Sequence, residues 1–374
     1  MKIEIIKNLG WKNVYLKLIN HNRKSKLQKL SFENKKAIVD IDLDKYQYIA
    51  FTDKRMHQTE IIILSENLSQ IELKYNRKIK KYVANLYVKD ISNYGLVETF
   101  ILTDDKNLSY KENHFKTINI LKPNNYDENK KYGMLIMFDS QNIFDKKKVG
   151  NYTKLNDPYG GWQVEASLSQ IKKLYPHEEY IVVGIECADR YREYELSPGN
   201  SFGNLNGNID LNDDFISIGY LDMLDDFINE TLIPFIKKNY SIDETRLGIS
   251  GSSAGGTACH YVGLKNYQKY RFILCFTPAS GLFEDKAWNN FYETLDLKNN
   301  VNNLPFFYYY QGKKGWLEKL LYQGNINLVE SLISNGYPNE KLCVYIEPKA
   351  EHNEISWRYG FNYGLLQAIK YFNK

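Results

Sequence analysis

The chain has 374 residues, of which 43% are hydrophobic and 25% charged, which excludes a disordered chain and allows one or two globular domains. Its net charge is only +4, and its lysines form short clusters without interleaved aromatic residues, which argues against a nucleic-acid partner. Because no apolar run approaches membrane-spanning length and the amino terminus lacks a signal-peptide pattern, we expect a cytoplasmic protein without a membrane partner.

Residues 1–69 contain short runs in which apolar and polar residues alternate, separated by polar turns. The runs are "WKNVYLKLI", "KAIVDIDL", "YQYIAFTD" and "TEIIILSE". Strands of this length at this spacing predict a small all-β sandwich domain. Residues 70–95 are rich in charge and are predicted to be a connector.

Residues 96–374 alternate between strand-like and helix-like segments, which predicts an α/β domain with a mostly parallel sheet covered by helices on both faces. The predicted strands are "VETFILTD", "FKTINILKP", "YGMLIMFD", "YIVVGIEC", "TRLGIS", "RFILCFTP", "PFFYYYQG" and "KLCVYIEP". The four cysteines are far apart and form no C-x-x-C pair, so we expect buried, reduced thiols.

Two connections, 139–162 and 188–219, are unusually long for a compact domain and rich in Gly, Asn and Asp. Both follow the carboxyl end of a predicted strand, where open α/β sheets place their ligand sites. We therefore expect them to form the walls or the lid of a pocket.

The stretch "RLGISGSSAGGTACHY" lies between a predicted strand and a predicted helix and contains three serines. Only Ser253 stands in a G-x-S-x-G frame, with Gly251 and Gly255 on either side. A tight strand-to-helix corner brings the positions two before and two after the serine together, so glycines fit there, and it directs the hydroxyl into a pocket. A phosphate-binding loop is disfavoured because no Lys-Ser or Lys-Thr pair follows the glycines. Ser253 is the candidate nucleophile.

A serine nucleophile needs a neighbouring base, which is usually histidine. In an α/β-hydrolase the histidine follows the nucleophile along the chain, which leaves His260 and His352 of the six histidines. His260 lies seven positions after Ser253 on the same predicted helix, about 10 Å along its axis, too far to reach back. His352 follows the last predicted strand and is the candidate base.

An oxyanion hole completes such a site, because the reacting carbonyl develops a negative charge. The amide of Ala254, at the start of the predicted helix, is one candidate donor. The amide of Gln141, in the loop "FDSQNIFD" after the third predicted strand, is the second. Ser140 and Asn142 flank Gln141 and are predicted to contact the substrate.

Four stretches in order resemble the putative esterase family of α/β-hydrolases, which includes siderophore, feruloyl and acetyl-xylan esterases and mycolyltransferases. They are "ILKPNNYDENKKYGMLIMFDSQNIFD", "IVVGIECADRYREYELSPG", "TLIPFIKKNYSIDETRLGISGSSAGG" and "AEHNEISWRYGF". The resemblance implies an α/β-hydrolase fold and the same nucleophile, base and oxyanion donors. A serine esterase mechanism needs no metal or organic cofactor. Many relatives have glycine where this chain has Ser140.

The resemblance leaves the third member of a catalytic triad open. Relatives often carry an acidic residue in the turn after the seventh strand, where this chain has Gly315. Glu318, Asp285 and a bare Ser-His dyad are the three alternatives.

The first 69 residues resemble a starch-binding β-sandwich, although Trp11 is the only tryptophan before Trp162. We expect a serine esterase that acts on a small ester, with an acylated sugar as one possible substrate and a siderophore trilactone as the alternative. Hydrolysis and acyl transfer are not separated by the sequence. A carbohydrate-binding protein with a vestigial hydrolase domain is the competing interpretation from another class.

Overall fold

A computed structural model describes the chain over residues 1–20, 22–59, 61–64, 68–77, 81–88, 94–145, 161–187, 189–198 and 219–374. Two small sheets lie in the amino-terminal part and one large sheet lies in the rest. The strands of the small sheets are β1 (Lys2–Asn8), β2 (Val14–Ile19), β3 (Ser25–Leu30), β4 (Lys36–Asp40), β5 (Tyr48–Thr52), β6 (Ile62–Ile63), β7 (Leu68–Asn76) and β8 (Lys81–Val88). The predicted combination of an all-β part with an α/β part is confirmed.

The two small sheets, called the sandwich below, have the strand orders β4-β1-β7-β8 and β3-β2-β5-β6. Alternate side chains of both sheets, such as Ile3, Ile5, Leu16 and Phe51, form one apolar cluster between them. The stretch 70–95 differs from the predicted connector, because β7 pairs with β1 and β8 pairs with β7. The many charged residues of this stretch masked the alternating burial of Ile71 and Leu73, which is the pattern that indicates a strand.

The large sheet has eight strands in the order β16-β15-β14-β13-β11-β12-β10-β9. All its neighbouring pairs are parallel except β9 with β10 and β10 with β12. Its strands are β9 (Glu98–Thr103), β10 (Phe115–Leu121), β11 (Tyr132–Phe138), β12 (Tyr180–Ile185), β13 (Ile242–Ser252), β14 (Phe272–Phe276), β15 (Phe306–Gly312) and β16 (Leu342–Glu347). All eight strands predicted for this part are confirmed.

Helices cover both faces of the large sheet. They are α1 (Val164–Leu174), α2 (Arg192–Glu195), α3 (Leu221–Phe227), α4 (Ile233–Asn239), α5 (Ala254–Lys265), α6 (Asp285–Thr294), α7 (Trp316–Ser334) and α8 (Glu354–Phe372), with a π-helical turn at Ile228–Leu232. Short 3₁₀ turns occupy Ser140–Asn142, Ala279–Leu282, Val301–Asn303 and Asn339–Lys341. One apolar cluster holds α3 to α7 against the sheet, and a second holds α1 and α8 against its other face.

The parallel strands β11, β13, β15 and β16 all end at the same edge of the sheet. The segments that follow them carry every residue predicted for the site, so the fold brings these distant parts of the chain to one edge. The four cysteines are free thiols, as predicted; three are buried and Cys343 is half-buried. Within the described ranges, no helix has the length and apolar character needed to cross a membrane.

Candidate active site

The predicted nucleophile, Ser253, lies between β13 and α5 with a backbone φ of 55° and ψ of −125°. Positive φ is rare for a residue with a side chain and stores strain of about 1–3 kcal/mol, so the surroundings must impose it. The Ser253 amide donates to the Phe276 carbonyl at 3.0 Å, and its own carbonyl accepts from the Ala279 amide at 3.0 Å. These bonds attach the turn to the segment after β14. Ser250 and Ser252 are buried in β13, whereas Ser253 is partly exposed.

Close contact between backbone segments explains the glycines of the frame. A Cβ atom on Gly251 would lie 2.1 Å from the Gly255 carbonyl oxygen, which no side chain permits. The sharp corner therefore requires glycine at this position, as the spacing predicts.

The predicted base, His352, lies in the loop between β16 and α8. Its Nδ1 is 3.2 Å from Oε1 of Glu318, a carboxylate that is fully buried in the first turn of α7. The imidazole packs edge-on against Trp357, with ring centroids 4.9 Å apart. Nε2, on the far side of the ring from the carboxylate, is buried and has no hydrogen-bond partner in the described part of the chain. Its bond to a serine hydroxyl is therefore not closed in this structure, as is common before substrate binds.

Of the two carboxylates predicted as alternatives, Glu318 is the one that contacts His352. Asp285 begins α6, and its Oδ2 accepts a hydrogen bond from Asn327 at 3.3 Å. Its carboxylate is thus engaged with the middle of α7.

Gln311, at the end of β15, holds the Glu318 carboxylate in place. Its Nε2 donates to Glu318 Oε2 at 2.7 Å, and its Oε1 accepts from Asn325 Nδ2 at 2.8 Å. Asn325 in turn donates to the Pro278 carbonyl at 2.8 Å. This buried network links the His352–Glu318 pair to the segment that supports Ser253. Neither amide stood out in the sequence, because their role depends on contacts between β15 and α7.

Of the two predicted oxyanion donors, Ala254 is the first residue of α5. Gln141 lies within the 3₁₀ turn that follows β11. Amides in the first turn of a helix have no acceptor within that helix, which is why such positions bind anions. The Gln141 side chain is used inside the protein: Nε2 donates to Asp139 at 3.0 Å and Oε1 accepts from the Cys187 amide at 3.3 Å.

Ser140 and Asn142, predicted to contact substrate, have different surroundings. Ser140 is fully buried, and its hydroxyl accepts a hydrogen bond from Asn119 Nδ2 at 2.8 Å. Its Cβ packs closely against Gly184, where an added Cβ atom would lie only 2.5 Å away. The Ser140 side chain therefore faces the protein interior, where its hydroxyl is hydrogen-bonded to Asn119. We do not include it among the residues proposed to contact substrate. Asn142 is partly exposed and donates to Glu354 Oε1 at 3.3 Å.

Arg192, on the short helix α2, was not identified from the sequence. Its Nε donates to Asp139 Oδ1 and its Nη2 donates to Asp139 Oδ2, both at 2.7 Å. Asp139 precedes the loop of Gln141 and has a positive φ of 58°. Burial lowers the pKa of Arg192, but the Asp139 and Glu193 carboxylates outweigh it and raise the pKa overall, so the guanidinium is charged. This two-fold ion pair fixes the start of the predicted oxyanion loop. The only sequence signal was its place in "ADRYREYELSPG".

His260 is not available as a base. It is buried, stacks on Trp288 at 4.5 Å between ring centroids, and its Nε2 is 2.9 Å from the Tyr292 hydroxyl. Burial lowers its pKa to about 3, so it is neutral near pH 7.

Most of the two long connections predicted to form the pocket walls, including residues 146–160 and 199–218, lies outside the described residues. In the described ranges, no group of three or more His, Cys, Asp or Glu side chains is arranged to hold a metal ion.

The model of the family described as "Putative esterase" matches residues 112–305, more than half of the chain. The chain belongs to this esterase family. The matched range includes Ser253 and ends before Glu318 and His352. No curated protein sequence matches the esterase.

Solved structures of other proteins share the fold of this esterase. Ferric enterobactin esterase from Salmonella typhimurium is 12% identical with a TM-score of 0.50, and the similarity covers 96% of this chain and 89% of that one. The BES protein from Bacillus cereus is 18% identical with a TM-score of 0.51, over 73% of this chain and 95% of that one. Siderophore hydrolase EstB from Aspergillus nidulans is 15% identical with a TM-score of 0.50, over 72% and 93%. The enterobactin esterase is similar over the sandwich as well as the large sheet.

Proposed function

We propose that this esterase cleaves carboxylic esters through an acyl-enzyme on Ser253, with His352 as the base and Glu318 as the acid of a triad. The turn at Ser253 then acts as a nucleophile elbow. The observation that carries the proposal is the hydrogen bond between His352 Nδ1 and the buried Glu318 carboxylate.

In the proposed reaction, Ser253 Oγ attacks the ester carbonyl carbon while its proton passes to His352 Nε2. The carbonyl oxygen becomes an oxyanion, which the amides of Ala254 and Gln141 stabilise. When the intermediate collapses, the ester C–O bond breaks and His352 gives its proton to the leaving alcohol. Water, deprotonated by His352, then attacks the acyl-enzyme and releases the acid and the free serine. Glu318 keeps the proton on Nδ1 and stabilises the imidazolium.

A fluorophosphonate probe tests the assignment of the nucleophile directly. Because the probe reacts with activated serine hydroxyls, we expect one adduct per chain, located on Ser253 by peptide mass spectrometry. Ser253→Ala should bind no probe and lose at least about a thousandfold in kcat/KM on a nitrophenyl ester. Ser252→Ala, at the neighbouring buried serine, is the matched control and should still be labelled. Full activity of Ser253→Ala would refute the proposal.

For the substrate, a small ester such as an acylated sugar is one candidate, and a siderophore trilactone is the second. The second is favoured by the similarity to ferric enterobactin esterase over 96% of the chain, because that similarity includes the sandwich. Mass spectrometry of products from a ferric catecholate trilactone and from acylated sugars separates the two. Cleavage of the sugars alone would reject the trilactone.

A carbohydrate-binding protein with an inactive hydrolase part is the alternative from another class. Sugar-binding modules use exposed aromatic rings, whereas Trp11 is only 5% exposed and packs against Tyr82. The intact Ser253, His352 and Glu318 further favour an enzyme.

We also propose the cytoplasm as its compartment, which fractionation of cells would test.

A further inference from the structure

A cavity of about 240 Å³ lies between the sandwich and the carboxyl ends of β15 and β16. The turn between β2 and β3 and the loop after β16 both contribute to its wall. The polar and charged residues that matter here are Lys17, Arg23, Tyr310, Tyr345, Glu347 and Lys349. We call it the sandwich–sheet cavity.

The charges that line the sandwich–sheet cavity do not balance. Lys17, Arg23 and Lys349 bring three positive charges, and Glu347 is the one carboxylate among the described lining residues. Burial and the nearby positive charge of Lys349 lower the pKa of Lys17, the larger effect being burial. The cavity thus has an excess of two positive charges.

The Arg23 side chain is largely enclosed, with 17% of its surface exposed. Its backbone has a positive φ of 61°, and its guanidinium packs against aromatic rings of β16 and α8. The guanidinium carbon lies 4.0 Å from the Tyr345 ring centroid, 3.9 Å from that of Tyr359 and 4.1 Å from that of Tyr363. These rings hold the guanidinium at the cavity wall through cation–π contacts.

The hydrogen-bonding capacity of this guanidinium is unused. None of its three nitrogens has a hydrogen-bond partner in the described part of the chain, and Nη1 is 3.9 Å from Glu347 Oε2. That carboxylate oxygen already accepts from the Tyr345 hydroxyl at 2.8 Å. The hydroxyl of Tyr310, a fully buried residue of the wall, also has no partner. Buried polar groups are nearly always paired, so unpaired donors beside this cavity favour an oxygen-rich anion as its ligand.

We propose that the sandwich–sheet cavity binds a small dianionic oxyanion of the phosphate type, either free phosphate or the phosphate group of a monoester. Two negative charges match the excess of two positive ones, whereas one carboxylate would leave a cation unbalanced. Arg23 places one positive charge at the cavity wall, and the two lysines supply further point charges. Ser253, Glu318 and His352 do not line this cavity, although the loop that carries His352 forms part of its wall. Phosphate binding can therefore be measured whether or not their proposed roles hold.

Calorimetric titration of the full chain with inorganic phosphate, at constant ionic strength, tests the site. We expect one phosphate per chain, and a second titration with methyl phosphate shows whether the monoester also binds. Lys17→Gln/Lys349→Gln should weaken binding at least about tenfold, because both charged contacts are lost. The matched control is Lys26→Gln/Lys29→Gln, which removes two exposed charges from β3 of the sandwich.

Thermal unfolding with and without phosphate provides a second measurement, which remains informative if a variant is less stable than the wild type. A ligand that binds only the folded protein raises the midpoint temperature, so phosphate should raise it for the wild type and the control, and much less for Lys17→Gln/Lys349→Gln. No phosphate or methyl phosphate binding to the wild type, or equal binding to the lysine variant, would overturn the proposal. Arg23 would then act solely as a link between the sandwich and the large sheet.

Discussion

Glu318 is held by its neighbours on two sides, with His352 at one carboxylate oxygen and Gln311 at the other. A carboxylate fixed in this way can orient the imidazole and stabilise its positive charge. Its burial at the first turn of α7 also places it where the positive end of the helix dipole stabilises an anion. The arrangement favours a triad over a dyad.

Replacing Glu318 by Gln tests this residue. The amide keeps the shape but removes the charge that stabilises the imidazolium, so we expect kcat to fall about a hundredfold or more with little change in KM. Steady-state kinetics on a nitrophenyl ester measure it. The matched control is Glu330→Gln, at an exposed position of the same helix. A Glu318→Gln enzyme with wild-type kcat would indicate a dyad.

His260 links stability to pH. Its folded-state pKa of about 3 lies below the ordinary value of 6.5, so the unfolded chain binds the proton more readily. The neutral, buried ring contributes fully above pH 6.5, and this contribution declines as the pH falls from 6.5 towards 3. Between about pH 7 and about pH 5, the decline amounts to about 2 kcal/mol in the free energy of unfolding.

Urea denaturation at both pH values measures this effect. The stability advantage of the wild type over His260→Gln should shrink by about 2 kcal/mol at the lower pH. His177→Gln, at a side chain that is 66% exposed, should show no comparable change. An advantage over His260→Gln that is the same at both pH values would contradict the assignment of a neutral, buried ring.

At the scale of elements, the β13–α5 turn is a feature whose shape could be predicted from steric contacts between residues close in sequence. The G-x-S-x-G spacing selected Ser253 because the contact of Gly251 with Gly255 lies within five residues and follows from the turn itself. The partner of His352 could not be selected in this way, because it depends on how α7 packs beside the loop after β16. The burial of Ser140 likewise depends on Asn119 from β10, a neighbour that no spacing reveals.

Gly251→Ala tests the turn. A methyl group 2.1 Å from the Gly255 carbonyl oxygen must displace the backbone, so we expect a stability loss of about 1–3 kcal/mol and a large loss of activity. Gly10→Ala is the matched control, because a Cβ there meets nothing within 4 Å. Thermal unfolding and esterase assays of both variants provide the measurement. An active, stable Gly251→Ala protein would show that the corner does not need glycine.

On the scale of the whole molecule, the sandwich is attached to the large sheet by specific polar contacts as well as by Arg23. Gln170 of α1 donates to the carbonyls of Gln47 at 3.3 Å and Leu64, and it accepts from Asn362 of α8 at 3.0 Å. Tyr48 packs edge-on against Tyr359, with ring centroids 5.1 Å apart. The sequence predicted both parts but not their contact, because the contact residues come from turns and helix faces without a shared motif.

Gln170→Ala should loosen this attachment. Loss of these hydrogen bonds should cost about 1–3 kcal/mol. Amide hydrogen exchange should become faster at residues 47–64 and stay unchanged around β13. Gln323→Ala, on the exposed side of α7, removes a comparable amide and serves as the control. Unchanged exchange at residues 47–64 would mean that other contacts suffice.

The three proposed catalytic residues follow three different strands, β13, β15 and β16, and β16 comes latest in sequence among the described strands. A growing polypeptide on the ribosome therefore has its serine long before it has its histidine. In the described sheet, β16 is an edge strand whose neighbour is β15. If the proposed roles hold, we expect a nascent chain to gain esterase activity only after the segment that carries His352 has left the ribosome.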